Sequence, residues 1–197
     1  MIDVLAAQWI LIPNFLKDEA RSQLLTYVLS QADQFVPTST STGEIDYRKS
    51  QILYNFPEFS DWMTHQVGTK LPEIFTQLDV MPFTPSQIEI QLTAHNDGNY
   101  YKIHNDNGSG DAATRTISYV YYFYREPKGF SGGELRLYDL SIEQGYYSQA
   151  ESYTLIEPQN NSLIFFPSHT LHEVMPVVCP SRSFADSRFT LNGWIRR

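Results

Sequence analysis

His104-Asn105-Asp106 sets an imidazole and a carboxylate two residues apart. On a strand, side chains at that spacing point to the same side and are able to grip one metal ion. A third donor, His172, stands on a later segment, just past the apolar run Leu163-Ile164-Phe165-Phe166-Pro167. Two histidines and one carboxylate are the set that holds non-haem Fe(II) on one face and leaves adjacent positions open for other ligands. The His-x-Asp triplet alone is a weak signal, since such triplets occur by chance on many surfaces, so the third donor gives it weight. His169 competes for that place but lies in the turn-like Pro167-Ser168-His169-Thr170, whereas His172 begins the extended run His172-Glu173-Val174-Met175-Pro176 and is preferred. His65 falls within a helical pattern and reads as a solvated or helix-packed residue.

Strands must carry these donors. From Gln87 onward the chain alternates, Ile88, Ile90 and Leu92 against Gln87, Glu89 and Gln91. Further strands are expected near 100–104, 116–124, 133–138, 153–156, 162–166, 171–174 and 188–195, separated by turn signals such as Asn107-Gly108 and Gly132-Gly133. Ahead of them, Asp18 is placed as the N-cap of a helix running to about residue 32, with Leu24, Leu25, Val28 and Leu29 as its buried stripe. A second helical stretch, 57–78, carries Phe59, Trp62, Met63 and Val67 at helical spacing, and Pro72 should break or restart it. The Ser- and Thr-rich segment 37–50 reads as a surface loop and a candidate lid over the cavity mouth, and 141–152 as a further substrate-facing loop. The fold expected is mostly β with N-terminal helices, a double-stranded β-helix (jelly roll) braced by helices. One domain should span residues 1–197, with 1–86 mainly helical support and loop and 87–197 the jelly-roll core.

Composition narrows the partners. A chain of 197 residues with a formal net charge of -8 has no general attraction for polyphosphate, so nucleic acid is not expected. Cys179 is the single cysteine, which excludes an internal disulfide framework or a cysteine-rich metal site and points to a reducing, cytoplasmic compartment. The opening residues lack a basic region followed by an apolar run, and no stretch reaches the roughly 18 apolar residues of a membrane span, so neither a secretory leader nor a membrane partner is expected.

With those residues in place, 88–194 resembles the prolyl hydroxylase branch of the 2-oxoglutarate-dependent dioxygenases, over about half of the chain. Tyr101-Lys102-Ile103-His104-Asn105-Asp106 is similar to the family's first metal strand, and Arg115-Thr116-Ile117-Ser118-Tyr119-Val120-Tyr121-Tyr122 to the strand after it. Gly132-Gly133-Glu134-Leu135-Arg136-Leu137 resembles its Gly-Gly-x-Leu strand, and His172-Glu173-Val174-Met175-Pro176-Val177 its distal-histidine strand. In the family an arginine precedes a tryptophan by six residues, as Arg188 precedes Trp194 here.

The resemblance implies Fe(II) held by His104, Asp106 and His172, with Arg188 gripping the distal carboxylate of 2-oxoglutarate through its planar fork of donors. Arg182 competes for that role at the shorter spacing usual in the family but lacks the tryptophan register, so 183–187 then reads as an insertion. Tyr122 is similar to a family tyrosine that also bonds the carboxylate, and Thr190 would help from two residues beyond the arginine. His95 stands where relatives have a tyrosine lining the cosubstrate pocket, and two readings stay open: the same task, or a structural histidine.

O₂ completes the implied cofactor set, with ascorbate a candidate accessory reductant. The implied activity is hydroxylation of a C–H bond, most closely that of a prolyl residue in a protein or peptide, with succinate and CO₂ released. Free proline, another amino acid or a small metabolite is the alternative. A nucleic-acid demethylase is disfavoured by Trp194, where those enzymes carry a second arginine. A non-catalytic jelly-roll binding protein has no use for Arg188 in register with a distal histidine.

Overall fold

The alternation in the second half of the chain resolves into two large β-sheets and a two-stranded ribbon, Ser131–Gly132 with Val177–Val178. The computed structural model describes residues 3–38, 46–143 and 146–197. The larger sheet runs Ile10–Ile12, Ser162–Pro167, Arg115–Phe123, Arg188–Arg196, Gln91–His95, Gln51–Leu53 and Val36–Pro37, with Gln87–Ile88 added beside Arg188–Arg196. The smaller runs Asp3–Leu5, Leu135–Glu143, His172–Val174, Tyr100–His104 and Arg48–Lys49, with Tyr146–Ile156 paired to Leu135–Glu143. Neighbours in both sheets pair antiparallel, giving the jelly roll.

Period two explains how the larger sheet is used. Its outer face presents Phe189, Leu191, Ile195, Tyr119, Tyr121, Phe123, Leu163 and Phe165, all fully buried in one core cluster with the helices. Those helices are α1 (Asp18–Ser30), α2 (Pro57–Gly68) and α3 (Leu71–Gln77), which contribute Leu24, Val28, Met63, Val67 and Ile74. Each such side chain stabilises the fold by roughly 1.5–3 kcal/mol through burial. A smaller cluster, with Leu135, Leu137, Ile156, Ile164 and Phe166, packs between the sheets beside the polar interior.

Several expectations shift in detail. Asp18 is the first helical residue rather than the cap; Lys17 holds the cap position, and Asp18 and Glu19 act as first-turn acids that favour the positive end of the helix dipole. The stretch 57–78 divides at Thr69-Lys70, and Pro72 sits in the first turn of α3, where its missing N–H costs nothing. The strand expected from Gly133 begins at Leu135, because Gly132 and Gly133 have φ of 69° and 71° and break the ladder. The expected loop 141–152 is instead largely a hairpin arm, with Glu143 opposite Tyr146, because Tyr146–Ile156 follows Leu135–Glu143 along its length. Within 37–50, residues 39–45, and with them the lid expectation, lie outside the described residues; Arg48–Lys49 is an edge strand.

Candidate metal and cosubstrate site

Strand register assembles the three donors. His172 is paired directly with His104 across neighbouring strands, and Asp106 follows just past the end of the Tyr100–His104 strand. The backbone N–H of Asp106 donates to Ser168 O at 2.9 Å, which fixes the turn. One ligand atom from each of His104, Asp106 and His172 lies within 4.8 Å of the others. His172 Nε2 stands 3.5 Å from Asp106 Oδ2, and His104 Nε2 3.7 Å from Asp106 Oδ1.

Surrounding groups orient all three. His104 Nδ1 lies 2.8 Å from Lys102 O and His172 Nδ1 2.8 Å from Thr170 O; each Nδ1–H donates to its carbonyl, leaving the Nε2 lone pair toward Asp106. Ser118 Oγ donates to Asp106 Oδ2 at 2.6 Å and lies 3.0 Å from Ser168 Oγ. Tyr101 stacks on the His104 ring with centroids 3.6 Å apart. Burial, then the neighbouring His172, pushes His104 down to about 3, so its imidazole is neutral. Burial acts to raise the Asp106 carboxyl, but His172, His104 and the hydrogen bonds of Ser118 and Trp194 outweigh it and hold the group ionised. Two imidazoles and one carboxylate converging in this way fit a single divalent cation.

A cavity of about 760 Å³ opens on this cluster and reaches Arg188, His95 and Thr190 on the larger sheet. Arg188 is 1% exposed, and burial draws its guanidinium below the ordinary arginine value. Its Nη1 donates to His95 Nδ1 at 3.4 Å, while among the described residues its Nε finds no acceptor and no carboxylate pairs with it. Gly133 makes room for this side chain: a Cβ there would lie 2.7 Å from Arg188 Cδ. With Nδ1 of His95 accepting, Nε2 must carry the proton, and that buried Nε2 is likewise without a partner. Burial, then the charges of Arg188 and Arg48, hold His95 well below its ordinary value, so it is neutral.

Tyr122 pairs with Thr190 in register and lies wholly buried under Arg188, whose Cζ is 4.8 Å from the ring centroid. Among the described residues its hydroxyl has no hydrogen-bond partner, although Tyr122 is not part of the cavity wall. Thr190 Oγ1 donates to Asn192 Oδ1 at 3.2 Å. A buried guanidinium without a counterion, beside orphaned donors, fits an incoming carboxylate.

The competitors lie elsewhere. His169 and His65 are exposed, and Arg182 is an exposed residue paired with Asp97 at 3.1 Å. Sequence reasoning missed Ser118, Gln91 and Arg48, which also line the cavity. It missed too the Glu89 carboxylate clamped by Arg115 at 2.6 Å and by Arg196, with Arg115 over the Trp194 ring at 3.7 Å. The alternation at Gln91 and Ser118 marks their face, but nothing local marks what they meet.

Residues 90–196 match the family model described as the 2OG-Fe(II) oxygenase superfamily. Over 188 residues, 94% of this chain, the sequence is 49% identical to an uncharacterized PKHD-type hydroxylase of Synechocystis sp.; the chain spans 62% of that relative's length. A prolyl-4-hydroxylase of Pseudomonas putida superposes with a TM-score of 0.66 at 23% identity, covering 97% of this chain and 93% of that one. A Trichoplax adhaerens prolyl hydroxylase, solved with a peptide fragment of hypoxia inducible factor, gives 0.71 at 18% identity, covering 96% and 84%. At these identities the structural likenesses show the jelly-roll fold.

Proposed function

The chain belongs to the 2OG-Fe(II) oxygenase superfamily, and from that membership we propose that it is an Fe(II)- and 2-oxoglutarate-dependent dioxygenase acting on a prolyl residue of a protein or peptide. The observation that carries this reading is the pairing, in one cavity, of a His-Asp-His cluster with a buried arginine that has no counterion among the described residues. The name of the PKHD-type relative supports hydroxylation, and the prolyl hydroxylase neighbours support the prolyl substrate.

In this reading His104, Asp106 and His172 hold Fe(II), and Arg188 holds the distal carboxylate of 2-oxoglutarate with Tyr122 and with Thr190, whose hydroxyl would turn from Asn192 to donate to it. His95 donates its Nε2–H into the same pocket. Bound there, the metal with 2-oxoglutarate and O₂ supplies the oxidising power that turns a C–H bond into C–OH, with succinate and CO₂ released. The protein contributes fixed geometry. Ser118 aims Asp106, the two backbone carbonyls hold the imidazoles in one tautomer, and Gly133 leaves space for the arginine. Phe166 and Leu135 close the wall between the sheets and limit water.

Anaerobic addition of 2-oxoglutarate to the Fe(II)-loaded protein tests the reading. The visible charge-transfer band of a chelated 2-oxo acid is expected in the wild type, is lost in Asp106→Ala, and needs far more cosubstrate in Arg188→Ala. Metal-replete protein with neither band nor calorimetric binding of 2-oxoglutarate would overturn it. Prolyl peptides set against free amino acids then separate the two substrate classes.

A further inference from the structure

The cavity holds a second arginine that the cosubstrate does not account for. Arg48 stands on the edge strand of the smaller sheet, paired in register with Tyr101, and lines the cavity wall opposite Arg188 and His95 on the larger sheet. Its position is built rather than incidental. Nε donates to Ser50 Oγ at 3.1 Å, and the guanidinium lies over the Tyr101 ring at 4.9 Å. Tyr101 is itself stacked on His104 and packed edge-on by Tyr47, whose hydroxyl donates to Ile103 O. The guanidinium is therefore fixed beside the metal cluster.

What it lacks is an acceptor. Among the described residues no hydrogen bond from either terminal nitrogen and no ion pair is made by Arg48. Burial works against its charge, which Tyr101 and Asp106 favour. Its terminal nitrogens are not among the buried atoms left without a partner, so they face the open cavity with their donors available to a ligand.

Charge says which kind of ligand. Counting Arg48, Asp106 and Arg188 of the cavity lining, and leaving Glu134 behind it aside, the two charges of Fe(II) cancel those of the 2-oxoglutarate dianion, Asp106 offsets one arginine, and one guanidinium remains. At the rim, Glu89 is shared by Arg115 and Arg196, leaving another net positive charge. A chain of net charge -8 thus concentrates positive charge at one cavity.

We infer that Arg48 docks a carboxylate of the primary substrate, so that the substrate is an acid whose carboxylate lies close to the oxidised carbon. A free or chain-terminal prolyl group, or a similar amino acid, meets that description; an internal peptide unit offers only a neutral carbonyl. The inference rests on the dioxygenase reading and moves its substrate class from internal prolyl residues to free or chain-terminal acids.

The same chemistry has a second source, the carboxylate of 2-oxoglutarate at the metal end, and the experiment separates the two. Protein loaded with Mn(II) and 2-oxoglutarate is titrated calorimetrically with N-acetyl-L-proline and with N-acetyl-L-prolinamide, in the wild type, Arg48→Gln and Arg48→Lys. In the wild type the acid should bind about tenfold or more tightly than the amide. Arg48→Gln should remove most of that preference, Arg48→Lys should keep part of it, and affinity for 2-oxoglutarate should change by less than about twofold. Equal binding of acid and amide, or binding of neither, overturns the inference. So does an Arg48→Gln loss of 2-oxoglutarate affinity as large as the loss for the acid, which would assign Arg48 to the cosubstrate. Wild-type protein that binds no 2-oxoglutarate fails the dioxygenase reading itself, a result distinct from normal cosubstrate binding without acid preference.

Discussion

Tyr121 and Tyr122 are neighbours on one strand with opposite fates. Tyr121 faces the helices, and its hydroxyl donates to Asn161 Oδ1 at 2.9 Å. Tyr122 faces the interior between the sheets, and its hydroxyl has no partner among the described residues. The contrast extends across the larger sheet. On the outer face Tyr119 also finds an acceptor, Glu89 O at 2.7 Å, within a packed apolar cluster. On the inner face Arg188 Nε, His95 Nε2 and Gln91 Oε1 are all buried and unpaired among the described residues. Each such group costs about 1–3 kcal/mol of desolvation, so one face secures the fold while the other gives up stability to hold donors ready for a ligand.

The largest expected break in that contrast is Asp106→Ala. Loss of the only carboxylate in the cluster should lower Fe(II) affinity about a hundredfold or more in equilibrium dialysis, and retention of tight binding would remove the cluster from the metal site. On the outer face, Leu191→Ala should cost about 2–5 kcal/mol in urea unfolding and leave 2-oxoglutarate affinity unchanged in the folded protein. Tyr122→Phe should do the reverse: stability holds or rises by up to about 1 kcal/mol, while 2-oxoglutarate binds about tenfold more weakly by calorimetry. Tyr121→Phe is its control and should lose about 1 kcal/mol with no effect on binding.

The smallest expected effect concerns pH. Burial acts to raise the Glu89 carboxyl, but hydrogen bonds from Arg115 and Arg196 hold it below its ordinary value of 4.5. A carboxyl lowered on folding adds stability above the unfolded value and loses it as pH falls through the folded one. Glu89→Gln should therefore flatten the acid limb of a stability-pH profile; an unchanged limb would assign that limb to other carboxylates.

Much of the metal cluster was legible because its geometry is local. His104 and Asp106 share a side through strand period, and the extended run at His172 distinguished it from His169 in its turn. Arg188 was singled out only through the resemblance, which implies an arginine six residues before a tryptophan, while the apolar stripes of α1 and α2 gave the bracing helices. The boundaries moved where backbone detail decided them, at the positive-φ glycines before Leu135 and at Lys17 ahead of Asp18. The hairpin at 141–152 was missed because its polar composition reads as loop, whereas the ladder with Leu135–Glu143 supplies its hydrogen bonds.

The sequence by itself determined which face each strand residue takes and which side chains are chemically able to bind a metal or a carboxylate, since both follow from residue type and a two-residue period. Only the tertiary structure decided their partners. Arg48 reaches Tyr101, Ser118 reaches Asp106 and His95 reaches Arg188 through pairings between distant segments. Such registers are set by the packing of whole sheets, so the same polar residue is satisfied at Tyr121 and left waiting at Tyr122.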